Sequence, residues 1–335
     1  MRTESELEER LARPSAGLVD DLAGLDGDIM ILGAGGKLGP SLVRLALNAV
    51  RGTKRVLAVS RFSEPGLADA LTAEGATVIS ADVSDERALR DLPDVANVVF
   101  LVGAKFGTQG AEHAIWFTNS YLPGRVADRF RDSRIAALST GNVYPLMPVT
   151  SGGATEETPL GPVGEYAMSC LGRERVMSHF ADKYGTRLAF IRLNYAVELR
   201  YGVLVDLAQK VAGGQPIDLS TGQVNVVWQG YANEVTLRSL LLADAPPYVL
   251  NLTGPELLSV RQAAQALGEA LGKEPVFTGE EAPTALLSNA SRCHRLFGYP
   301  DMTPAELIEH IAAWVGGGGR LLGKPTKFER RDGRF

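Results

Sequence analysis

The sequence predicts a doubly wound α/β fold, a parallel sheet with helices on both faces, extended by a smaller C-terminal lobe. Three observations carry this. Short runs rich in Val and Ile recur between residues 29 and 193, helical patterns separate them, and the first run leads into a glycine-rich turn that opens a helix. Unbroken apolar runs of this kind are strands buried on both faces, and their alternation with helices is the βαβ rhythm.

Taken in order, residues 1–27 form a helical arm, in which Thr3 and Glu6 have capping-box spacing and Pro14 divides two short helices. Residues 28–195 hold six strand candidates: "IMILG" (29–33), "RVLAVS" (55–60), "TVISAD" (77–82), "NVVFLV" (97–102), "RIAALST" (134–140) and "RLAFIRL" (187–193). Six such strands with intervening helices make a doubly wound sheet of Rossmann type the expected architecture of this domain. Residues 196–315 change rhythm, with helical patterns at 203–212, 231–243, 259–271 and 303–315 and strand-like pieces "VNVVW" and "YVLNL"; this stretch is expected to be mainly a substrate-binding lobe. Residues 316–335, four glycines and then a basic segment, are either a mobile tail or an arm laid across the lobe or a partner subunit. No internal repeat is present.

Across 335 residues the chain is 45% hydrophobic and 22% charged, which is ordinary globular composition. A formal net charge of -5 without a basic stripe argues against nucleic acid, and no apolar run reaches membrane-spanning length. Two cysteines, Cys170 and Cys293, cannot build a disulfide framework, and "MRTESELEERLARP" is too polar for a secretory signal, so a cytoplasmic protein is expected. His113, His179, His294 and His310 are scattered without metal-ligand spacing, so no metal is expected.

The turn "GAGGKLG" places Gly33, Gly36 and Gly39 three apart between the first strand and a helix. Glycines there permit a tight turn and close approach of backbone to a pyrophosphate, and the helix N-terminus supplies N–H groups for the anion. The turn therefore predicts a dinucleotide on Gly33, Gly35, Gly36, Lys37, Leu38 and Gly39. The second strand ends at Ser60 and Arg61, with no acid for the adenosine ribose and an arginine suited to a 2′-phosphate, so NADP is preferred over NAD. Asp82, followed by Val83, falls where an adenine contact is expected; its alternative role is a helix cap.

Three further segments complete a pattern: "FTNSYLPGRV" with Asn119, "LSTGNVYP" with Thr140, and "EYAMSC" with Tyr166 and Cys170. With the glycine turn, "RLNYAVE" (192–198) and "TEETP" (155–159), residues 28–315 resemble the extended short-chain dehydrogenase/reductase family, the NAD-dependent epimerase/dehydratase group. The resemblance implies that Thr140 hydrogen-bonds the substrate oxygen and that Tyr166 exchanges its proton as hydride moves to or from the nicotinamide. It also implies catalytic support from Asn119, cofactor contacts at Val102, Gly103, Ala104 and Asn194, and a homodimer built on helices near 113–131 and 164–184.

One position departs from the family. The lysine four residues after the tyrosine, which holds the nicotinamide ribose and lowers the phenol's pKa, is here Cys170. Three explanations compete: Lys105 in "VGAKFGTQG" supplies the charge, with Arg173 a more distant candidate; Cys170 is itself reactive; or catalysis is lost and the protein is a cofactor-binding sensor. A second departure concerns the substrate. The stretch "TGQVNVVWQGYAN" carries Gln223 and Gly230 where nucleotide-sugar enzymes carry an arginine and an aspartate. Arg200, Arg261 and Arg292 are available, but nothing in their spacing dictates a diphosphate site. The expected activity is therefore an NAD(P)-dependent oxidoreductase or epimerase acting on a small carbohydrate-like substrate, with Phe106, Asn142, Tyr144, Asn194, Trp228 and Arg292 as candidate contacts. A regulatory nucleotide-binding protein and a nucleotide-sugar epimerase/dehydratase are the alternatives.

Overall fold

A computed structural model describes residues 1–105 and 110–334. The six apolar runs are strands: β1 (Ile29–Leu32), β2 (Val56–Ser60), β3 (Thr77–Ser80), β4 (Asn97–Phe100), β5 (Arg134–Thr140) and β6 (Arg187–Leu193). A seventh, β7 (Tyr248–Leu252), is the "YVLNL" piece expected in the lobe. It pairs in parallel with β6, from Tyr248 opposite Ala189 to Leu252 opposite Leu193. Without it, the buried residues of β6 would carry an open row of N–H and C=O groups. The order is β7-β6-β5-β4-β1-β2-β3, with every neighbouring pair parallel. The winding direction reverses between β1 and β4, which opens a crevice at their carboxyl ends.

Successive strand residues feed opposite faces. Ile29, Ile31, Val56 and Ala58 join a core with the helix Gly39–Val50 and the arm, whereas Met30, Leu32, Leu57 and Val59 join a second core with Leu122, Val126 and Met177. The arm is an integral layer. Its helices Glu4–Leu11 and Ala16–Ala23 bury Leu7, Leu11, Leu18 and Leu22, and the Thr3–Glu6 capping box is formed. Glu8 ties the arm to both Arg44 (2.9 Å) and Arg200 (2.6 Å).

In the lobe, the helices Val203–Ala212, Val260–Leu271 and Pro304–Gly316 pack on one another, close to the helical patterns expected there. The helix Gln229–Arg238 instead lies on the helix Gly39–Val50. The C-terminal segment is the arm across the lobe. Arg320 pairs with Glu4 at 2.8 Å, Thr326 donates its backbone N–H (2.7 Å) and hydroxyl (2.6 Å) to Asp206, and Phe328 is buried. Arg331 then donates to the Thr284 carbonyl (2.6 Å) and hydroxyl (2.7 Å).

Candidate active site

The glycine turn has no room for side chains at its glycine positions Gly35 and Gly39. Gly33 has φ +92°, a β-carbon on Gly35 would lie 2.8 Å from Ser60 Oγ, and one on Gly39 would lie 2.2 Å from the Ala34 carbonyl oxygen. No side chain caps the helix Gly39–Val50, so its first N–H groups face the turn. Beside it runs a cleft of about 280 Å³ lined by Gly33, Gly35, Gly36, Ser60, Arg61, Asp82, Val83, Val102 and Gly103. These residues fit a dinucleotide: a turn that admits only backbone at Gly35 and Gly39, an open helix N-terminus, and a groove reaching the end of β2. Arg61 is exposed and lies 3.7 Å from Asp82. Asp82 accepts from the Ser84 hydroxyl (2.6 Å) and N–H (2.9 Å), and these bonds hold its carboxyl below the usual carboxylate range. Asp85, rather than Asp82, caps the following helix.

The second half of the crevice is a cavity of about 210 Å³. Lys37, Leu38, Lys105, Thr140, Asn142, Tyr166, Asn194, Tyr195, Tyr201 and Thr326 are among its lining residues. Thr140 is the last residue of β5, and Tyr166 lies in the first turn of the helix Gly164–Tyr184. The Tyr166 hydroxyl stands beside the Thr140 hydroxyl and the Cys170 thiol; burial first, and Cys170 second, raise its pKa well above that of a free phenol, while Thr140 and the Arg173 guanidinium act in the opposite direction. The Lys105 ammonium lies 5.4 Å from the centre of the Tyr166 ring, and burial pulls its pKa down to about 8. Cys170 is 1% exposed, and burial raises its thiol pKa.

Lys105 is held in place through its neighbour. Asn119, 0% exposed, accepts from the Ala104 N–H (2.8 Å) and donates to the Ala104 carbonyl (2.8 Å) and to Ser169 Oγ (3.0 Å). It sits in the π-helical turn Phe117–Tyr121, a wider winding that recurs at functional sites. Asn119, expected in the catalytic group, is buried against Ala104 and is not among the residues lining the cavity. Arg173 is committed as well, donating to the Val102 carbonyl (3.1 Å), the Asn119 carbonyl (3.3 Å) and the Leu138 carbonyl.

Several expected substrate contacts fall elsewhere. Trp228 is 1% exposed within the main core, and its indole leaves no room for a side chain at residue 230. Arg292 pairs on the surface with Glu157 and, at 3.7 Å, with Glu156, away from both clefts. The Tyr144 hydroxyl is taken up in a buried network: it accepts from Arg192 (2.7 Å) and donates to Asn251 (2.8 Å), while Arg192 pairs with Glu174 at 2.6 Å. Phe106 lies outside the described residues. Asn142 and Asn194 do line the cavity, and Asn194 also donates to the Leu286 carbonyl at 3.3 Å.

The cavity also holds residues that motif reading overlooked. Tyr195 lies within "RLNYAVE" and has a left-handed φ of 48°. Tyr201 and Thr326 belong to no motif, and only the fold brings them to Thr140. A wider surface cleft of about 710 Å³ lies at the amino ends of β4 and β5, lined by residues such as Ala96, Arg129 and Ser133. Its charges pair with one another, as in Arg129–Asp94 at 2.6 Å, and ligands of open α/β sheets bind at the opposite edge.

A doubly wound sheet with a dinucleotide cleft and a Thr–Tyr pair at its carboxyl edge defines a short-chain dehydrogenase-type protein. The model of the NAD dependent epimerase/dehydratase family matches residues 29–203, more than half of the chain, and the chain belongs to that family. No curated protein sequence matches significantly. Among solved structures, UDP-glucuronic acid 4-epimerase from Bacillus cereus in complex with NAD is similar (TM-score 0.72, 17% identity, 87% of this chain and 99% of that one). The UDP-Glc/GlcNAc 4-epimerase of Campylobacter jejuni (TM-score 0.71, 17% identity) covers the same shares. So does MoeE5 in complex with UDP-glucose and NAD (TM-score 0.70, 17% identity). At these identities the likeness establishes the fold.

Proposed function

We propose that this chain is an NAD(P)-dependent oxidoreductase or epimerase acting at a hydroxyl or carbonyl carbon of a small carbohydrate-like molecule. One observation carries the proposal: the Lys105 ammonium stands beside Tyr166 in the cavity that contains Thr140, whereas position 170 offers only a thiol. When bound, the nicotinamide supplies the hydride acceptor or donor. The chain supplies the proton and the orientation. Thr140 binds the substrate oxygen; Tyr166, protonated at neutral pH because its pKa is raised, gives its proton to that oxygen as a carbonyl is reduced and takes it back in the reverse direction. Lys105 stabilises the phenolate left behind. With its pKa raised, Cys170 is a thiol rather than a thiolate, which argues against a thiol enzyme.

Further features support the finer assignments. Arg61 at the end of β2, with no acid beside Ser60, favours NADP over NAD. A nucleotide sugar would need room beyond Asn142, but Tyr144, Tyr195, Phe328 and Arg331 leave only about 30 Å³ there, which favours a small substrate. Trp116, Phe117, Met168, Val176 and Tyr121, the last 57% exposed, are large apolar side chains exposed on the adjoining helices Glu112–Trp116 to Leu122–Arg129 and Gly164–Tyr184, an arrangement suited to a homodimer. Among the described residues no helix is long and apolar enough to cross a membrane, and a cytoplasmic location is part of the proposal.

Fluorescence titration with NADPH and NADH, followed by a panel of sugars and sugar acids, tests this function. Binding of NADPH more tightly than NADH, with hydride transfer to a panel member, is expected. Binding of neither at millimolar concentration defeats the proposal, and binding without hydride transfer across the panel favours the regulatory alternative.

A further inference from the structure

Lys37 takes no part in the proton transfer assigned to Tyr166, yet its side chain lines the same cavity. It projects from the glycine turn, its ammonium donating to the Ala196 carbonyl (2.9 Å) and lying 3.7 Å from the centre of the Tyr201 ring. It is not among the residues lining the cleft beside Ser60, Arg61 and Asp82. Among the described residues no carboxylate lies within 4.0 Å of the Lys37 ammonium, and the acids around it are engaged elsewhere: Glu198 with Arg200 at 3.1 Å, Asp206 with Thr326 at 2.7 Å. Burial draws its pKa down to about 7; Glu198 and then Asp206 oppose the shift, and Lys105 adds to it to a lesser degree. A buried ammonium whose direct contacts are a carbonyl and an aromatic face, with the Glu198 and Asp206 carboxylates acting only from beyond ion-pair distance, is incompletely compensated.

We propose that Lys37 is a substrate-recognition residue: it binds the carboxylate of a small sugar acid or hydroxy acid whose hydroxyl or carbonyl carbon faces Thr140 and Tyr166. This rests on the cavity being the substrate site, but not on turnover or on the role of Lys105. It narrows the substrate class from small carbohydrates in general to acidic ones. One carboxylate oxygen would accept from the Lys37 ammonium, adding a charge-assisted hydrogen bond to the contacts with Ala196 and Tyr201.

Calorimetric titration of the full chain, with and without NADP, tests this using D-glucuronate, D-galacturonate and D-gluconate as probes and D-glucose and D-galactose as uncharged counterparts. At least one acid is expected to bind about tenfold or more tightly than its counterpart, the size of one charge-assisted hydrogen bond. Lys37→Met is expected to erase that difference, Lys37→Arg to keep it, and Tyr166→Phe to leave it unchanged. Lys37→Gln, with circular dichroism to confirm folding, replaces the Met variant if that one does not fold. Acid binding that survives loss of the ammonium, or no preference for any acid, overturns the proposal. So does a Lys37 variant that loses NADPH affinity but keeps the acid preference, since the ammonium then serves the cofactor phosphates. Acid preference without hydride transfer would sink the oxidoreductase assignment and leave Lys37 as assigned.

Discussion

The Tyr166 hydroxyl stands beside Thr140 and Cys170, and the Lys105 ammonium lies 5.4 Å from the centre of its ring. Cys170 contributes no charge, and in the proposed mechanism stabilisation of a phenolate falls to Lys105, which comes from a different element. Burial brings the Lys105 pKa down to about 8, so the ammonium is present below that pH and is lost above it. Turnover that depends on this charge is expected to hold steady below pH 8 and fall as pH rises through it. Lys105→Arg, whose guanidinium stays charged, is expected to move the fall upward in a pH–rate profile. A profile unchanged by Lys105→Arg would assign the titration to another group.

At the scale of elements, the helix Gly164–Tyr184 is pinned to its neighbours at close range. A β-carbon on Gly172 would lie 2.5 Å from Ser120 Oγ, and one on Gly124 would lie 2.5 Å from Val176 Cγ1, so glycines permit these helices to cross. Behind Tyr166 the same helix is joined to β6 by the buried Glu174–Arg192 pair, with Ser139 also donating to Glu174 at 2.5 Å. Glu174→Ala leaves Arg192 buried without its carboxylate and is expected to cost about 3–5 kcal/mol in denaturant unfolding. A loss below about 1 kcal/mol, the range of exposed pairs, would show that the network is solvated. The six strands from β1 to β6 were legible in the sequence because a strand buried on both faces has an unbroken apolar run. The place of β7 was not, because "YVLNL" is as apolar as a lobe strand and only pairing with β6 distinguishes the two. Thr140 and Tyr166 were legible through their motifs. Trp228 and Arg292 misled because aromatic and cationic residues also serve packing and surface pairing.

Across the whole molecule, both ends of the chain are packed onto its body, and the C-terminal one reaches the crevice. The arm buries five leucines (Leu7, Leu11, Leu18, Leu22 and Leu25) in the core it shares with the helix Gly39–Val50, and the C-terminal segment brings Thr326 into the cavity and Phe328 to its outer wall. Neither contact could be read from the sequence, since glycine-rich and basic composition specifies no partner. Truncation after Gly319 exposes Phe328's site and frees Asp206, so thermal unfolding is expected to come earlier by roughly the 1.5–3 kcal/mol of one buried aromatic or more. KM for a small substrate is expected to rise with it, and an unchanged KM would place the tail outside the substrate site. Light scattering at micromolar concentration is expected to give twice the chain mass, and a monomer would remove the dimer from the proposal.

The central claim is that Lys105 supplies the charge that position 170 lacks. Its most direct test is the turnover number of Lys105→Ala, measured beside wild type and Tyr166→Phe on a substrate found in the sugar-acid panel, with NADPH binding checked in each. Both variants are expected to bind NADPH and to lose about 10²-fold or more in turnover, the usual size of a general acid–base contribution. Wild-type turnover by Lys105→Ala would contradict the claim.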